Sequence, residues 1–135
     1  MNEVKFNSQI CTSVEQSNRL LELGLKPETA DMVFIKELEY DAVAHCIYDA
    51  DTYMIRPIDY LVGEKHRGHI PAWSLHRLIE ICNKTQSWMI ISIYNNEVTV
   101  DGALFDVFDN TYDNLISAIE CLIKEDYFNK EYLKQ

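Results

Sequence analysis

Three stretches of this chain open with a helix-starting signal and continue with apolar residues at helical spacing. A chain built that way must find cover for three helical faces. In the first, Ser13 followed three residues later by Gln16 forms a capping box, and Val14, Leu20, Leu21 and Leu25 supply the apolar side. Gly24 stands where a left-handed residue would end that helix, so the spacing predicts a helix over residues 13–23. In the second, Pro71 suits a first helical position, and Leu75, Leu78, Ile79 and Cys82 recur at i, i+3, i+4 and i+7. Trp73 is large enough to anchor its first turn, with an indole N–H that needs one polar partner if buried. In the third, Asp109, Asn110 or Thr111 caps a helix whose Leu115, Ala118, Ile119, Leu122 and Ile123 face a core.

Between the helices the pattern turns toward strands. The segments "WMIISIY" and "EVTVD" flank Asn95-Asn96, two residues that tolerate positive φ, and Asp101-Gly102 offers a further turn into "ALFDVF". Upstream, "AVAHCIY" and "TYMIRP" favour strands and are separated by Asp49-Ala50-Asp51, which predicts a hairpin turning there. Pro27 predicts a second, shorter helix after the first. The order predicts an α+β fold: a single domain over residues 1–135, with three to four helices packed on a small antiparallel sheet of hairpins. Residues 1–10 and 129–135 are expected to fray. The predicted core is Leu20, Leu21, Trp73, Leu75, Leu78, Ile79, Leu115, Ile119 and Leu122.

Charge narrows the function. The chain carries 22 acidic against 12 basic side chains, a net charge of −10, so it lacks the concentrated positive face that a phosphate backbone requires. The helix-turn-helix reading of the first hairpin fails for the same reason, since "PETADMVF" offers a groove Glu28 and Asp31 and no Arg or Lys. Direct nucleic-acid binding and anionic membranes are therefore not expected partners. The N-terminus lacks the basic start and apolar core of a signal peptide, and no apolar run is long enough to span a bilayer, which predicts a cytoplasmic protein. Cys11, Cys46, Cys82 and Cys121 stand far apart with no C-x-x-C pair, as free thiols would in a reducing compartment.

Chemical motifs are sparse. Only four glycines are present, with no Gly-rich phosphate loop, so no cofactor is expected. His45 and Cys46 are adjacent, but neighbours in a strand point to opposite faces and cannot readily share a proton. Residues 109–120 place Asp109, Thr111, Asp113, Ser117 and Glu120 at calcium-loop positions, with Asn114 where that loop needs Gly. The same residues also make a good helix start, with carboxylates near its positive end. His66, His69 and His76, with Glu80, are the candidate zinc ligands, at a spacing that matches no standard motif.

Three segments, "EQSNRLLELGLKPETADM" from Glu15, "IPAWSLHRLIEI" from Ile70 and "DNLISAIECLIKE" from Asp113, together resemble small uncharacterised proteins of gut anaerobic bacteria and their prophages and mobile elements. That resemblance implies an intracellular bacterial or phage accessory protein, and it assigns no activity, cofactor or catalytic residue. Eight Tyr and two Trp add the residue types that anchor interfaces. The favoured expectation is a non-enzymatic accessory protein acting through a protein–protein interface, self-association included. The alternative is a small metal-binding protein, for calcium or zinc, or a metal-dependent enzyme.

Overall fold

The computed structural model describes residues 8–57, 69–83 and 90–134, and among them shows an α+β arrangement of helices and antiparallel strands. Helix α1 (Val14–Glu22) starts on the full capping box, the Ser13 side chain accepting from the Gln16 amide and the Gln16 side chain from that of Ser13. Gly24 ends the helix at φ +100°, a conformation that costs glycine little. After it, the expected second helix contracts to a single 3-10 turn, Pro27–Thr29, because the chain must already be extended at Met32 to enter a strand.

Strands β1 (Met32–Asp41) and β2 (Cys46–Pro57) form a long antiparallel hairpin, and β3 (Ile70–Ala72) pairs with the other side of β1. The hairpin turns at residues 42–45, not at Asp49-Ala50-Asp51. Asp41 makes that turn, its Oδ1 accepting from the amides of Val43 at 2.9 Å and Ala44 at 3.2 Å, and His45 takes the left-handed φ of 54°. Ala50 and Asp51 of the polar trio fall instead in a bulge, where Glu37 alone stands against Ala50, Asp51 and Thr52, between the pairs Lys36↔Tyr53 and Leu38↔Asp49.

Helix α2 (Leu75–Asn83) begins later than expected. Pro71 lies in β3, where a strand at the edge of the described sheet tolerates a missing amide, and Ser74 caps α2 by accepting from the Arg77 amide at 3.1 Å. Strands β4 (Ile91–Tyr94), β5 (Glu97–Val100) and β6 (Ala103–Phe105) form a second three-stranded sheet, so the strands divide between two sheets. Its turns are those expected, with Asn95 at φ 56°, Asp101 at 48° and Gly102 at 85°. Helix α3 (Thr111–Lys124) is capped by the Asn110 side chain and closes the fold.

The larger core unites Leu20, Trp73, Leu78, Leu115, Ile119 and Leu122 with Val98 and Val100 of the second sheet. Leu21, Leu75 and Ile79 pack against it half-buried. A smaller cluster, Cys11, Phe34 and Ala72, lies under the first sheet. Residues 129–134, expected to fray, are tied to the segment that follows α1. Lys130–Tyr132 forms a 3-10 turn, the Lys26 amide donates to the Tyr132 carbonyl at 2.8 Å, and the Lys134 amide donates to the Gly24 carbonyl at 2.7 Å. Tyr132 and Leu133 supply the apolar contact that holds this return, which composition alone does not show. No helix among the described residues is long and apolar enough to cross a membrane.

Leu78→Ala should cost about 2–5 kcal/mol in urea unfolding, since Leu78 is fully buried where all three helices meet the second sheet. Removing residues 130–135 should also lower the melting temperature, because it opens the Leu25↔Leu133 bridge and strips cover from Leu25. An unchanged melt would show that the return is not part of the cooperative unit.

Candidate functional site

Three places could carry chemistry or recognition. The first is the groove between α1 and α3, about 320 Å³, lined by Gln16, Arg19, Asp113, Ser117 and Glu120 among others. Gln16, Arg19, Asp113 and Glu120 in it pair with one another. Gln16 Nε2 donates to Asp113 Oδ1 at 2.8 Å, and Arg19 Nη2 donates to Glu120 Oε1 at 2.7 Å. That bond, with Lys124 nearby, holds the Glu120 carboxyl below its usual range. The contribution of the pair to stability is therefore present above the ordinary glutamate range and is lost as pH falls through the lowered value.

Of the calcium-loop residues, Asp113, Ser117 and Glu120 belong to this helix–helix seam. Residues 111–124 run as continuous helix, so Asp109, Thr111, Asp113, Ser117 and Glu120 cannot wrap an ion. Asn114, at the loop's glycine position, is buried and fully engaged: its Nδ2 donates to the carbonyls of Asn96 and Phe108, and its Oδ1 accepts from the Phe108 amide at 3.0 Å. His66 lies outside the described residues. His69 is half-buried just before β3, and His76 is exposed on α2. Among the described residues, no three His, Cys, Asp or Glu side chains are placed to share a metal ion.

The second place is an apolar cleft of about 180 Å³ between α3 and β6, lined by Val100, Phe105, Cys121, Leu122 and Tyr127 among others. Pockets that hold drug-sized ligands run to about 300–1,000 Å³, so this cleft is small for one. The thiols divide by environment. Burial pushes Cys82 up to about 12, and burial with the Asp31 carboxylate nearby pushes Cys11 up to about 11. Cys46 is exposed at the start of β2, and His45 beside it points its Nδ1 to the Tyr40 hydroxyl at 3.4 Å.

The third place is the outer half of the β1–β2 hairpin. β3 covers β1 only from Met32 to Phe34, and the edge-to-face pair of Phe34 with Tyr53, centroids 6.0 Å apart, marks the packed base. Beyond it, every residue from 39 to 47 is exposed except the half-buried Asp41. Tyr40 is 63% exposed, Ile47 68% and Val43 at the turn 91%, and Tyr40 and Ile47 are cross-strand partners. Strand alternation places Tyr40 and Ile47 on one face of this ribbon and Glu37, Glu39 and Asp41 on the other. Sequence reasoning missed these residues, because an apolar face on a strand reads as a core face. The available signal was the strict alternation of "ELEYD".

Comparison of the chain with protein-family models, with curated proteins and with solved structures finds no match.

The thiol environments predict an order of reaction with a thiol-reactive dye at about pH 8. Cys46 should label first and the half-buried Cys121 more slowly, while Cys11 and Cys82 should label only as the chain unfolds. Rapid labelling of Cys82 in the native protein would contradict its burial on the inner face of α2.

Proposed function

We propose that this chain is a non-enzymatic accessory protein of the cytoplasm, acting as one domain through a protein–protein interface at the outer half of the β1–β2 hairpin. The observation that carries this reading is the exposure of Tyr40, Val43 and Ile47 together on a ribbon that extends past its own sheet. A single exposed apolar residue is ordinary on a protein surface, but an aromatic and two aliphatic side chains clustered on one projecting element are a typical contact patch. The polar groove between α1 and α3 is committed to internal hydrogen bonds, which favours a structural role there.

A photo-crosslinking residue placed at Val43, introduced in the source cell, tests the proposal. A discrete adduct is expected at Val43 and none at an exposed control elsewhere, such as His76. Equal adducts at both, or none at Val43, would remove the hairpin as the interface. The Tyr40→Ser and Ile47→Ser variants should change stability by no more than about 0.5 kcal/mol, which separates a recognition role from a folding role.

A further inference from the structure

The distribution of charge along the hairpin identifies the kind of partner it suits. Residues 37–55 contain Glu37, Glu39, Asp41, Asp49 and Asp51 and no Lys or Arg, so this one hairpin stretch accounts for half of the net charge of −10. The apolar pair Tyr40 and Ile47 lies on the opposite face of the ribbon from the β1 acids. A strand laid along a two-faced ribbon continues both faces, one side chain to each in turn. Resting on the interface reading above, we infer that the outer half of the β1–β2 hairpin takes an extended segment of a basic protein in which Lys or Arg alternates with aliphatic residues.

Charge decides among the possible occupants. A second copy would bring the same β1 acids, Glu37, Glu39 and Asp41, to the contact, and like charges across paired strands destabilise. An anionic membrane or a nucleic acid meets the same repulsion. A basic, apolar-alternating strand meets attraction on one face and burial on the other. Among the described residues, no strand pairs with the β3 side of β1 beyond Phe34, which leaves that backbone edge for an added strand.

The test uses the full chain and a fluorescein-labelled ten-residue peptide alternating Val and Lys, followed by fluorescence anisotropy. Saturable binding that weakens with added salt is expected, with no binding of a Val/Glu peptide. A Lys/Ser peptide should bind about tenfold more weakly, because it leaves Tyr40 and Ile47 uncovered. The Tyr40→Ser/Ile47→Ser double variant should lose about tenfold in affinity, and Glu37→Gln/Glu39→Gln should lose both affinity and salt dependence. Val43→Ser, at the turn, serves if the double variant does not fold. Equal binding of the Lys/Ser peptide, or unchanged binding by these variants, would overturn the inference. If the Val/Lys peptide does not bind but the wild-type chain self-associates in sedimentation and the double variant does not, the interface reading stands and the basic partner falls. Neither binding nor association would remove both.

Discussion

The structure depends first on how Trp73 is held. Its side chain is fully buried, its indole N–H donates to Thr29 Oγ1 at 3.0 Å, and its amide donates to Thr12 Oγ1 at 3.1 Å. Its carbonyl accepts from the Thr12 amide at 2.8 Å. One residue therefore fastens the segment before α1, the 3-10 turn after α1 and the entry to α2. Burying so many polar groups is tolerable only because each is paired, and Thr12 completes the set through a 2.7 Å hydroxyl contact with Ser17 inside α1. Asp31 finishes the corner by accepting from the Ser74 amide at 2.8 Å and the Ser74 hydroxyl at 2.5 Å, so the residue that caps α2 is itself positioned by the segment leading into β1.

Asn114 does for the second sheet what Trp73 does for the first. A buried amide without partners would be costly, yet Asn114, in the first turn of α3, reaches both the Asn95-Asn96 turn and the loop that leads from β6 into α3. The β4–β5–β6 sheet is thereby locked to α3 at two points. Thr111 adds a third, its hydroxyl donating to Asn96 Oδ1 at 3.0 Å. A polar residue at this site specifies the packing of turn against helix, which apolar contacts alone would leave free to slide.

These two anchors explain what the sequence could reveal. Local signals were legible: the Ser13-Gln16 capping box, Gly24 as a terminator, the Asn-Asn and Asp-Gly turns, and the apolar stripe of α3 each depend on a few neighbouring residues. Pro71 was misleading because the choice between helix start and strand rests on Ser74 and on its distant partner Asp31. The turn at 42–45 was missed because Asp41 and His45 are weak turn formers singly and the polar trio at 49–51 is a stronger local signal. The bulge that absorbs Ala50 and Asp51 is visible only once β1 is in register. The tail's return to Gly24 and Leu25 is likewise a long-range pairing with no local signature.

The same contrast of local and distant forces sets apart the two halves of the β1–β2 hairpin. At its base, three strands, the Phe34 and Tyr53 rings and Lys36 above the Tyr53 face give the ribbon a packed foundation. Past Lys36, cross-strand pairs and the Asp41 turn hold the two strands of the hairpin together, and a two-stranded ribbon in water is marginal on such terms alone. Natural sheets protect exposed edges with charge, and the acids of β1 serve that purpose against pairing with further copies. Protection of an edge calls for charge alone. It does not call for Tyr40, Val43 and Ile47, whose exposure raises the hazard that the acids reduce. An acidic ribbon that nevertheless keeps an apolar face repels its own kind while remaining open to a partner of opposite charge.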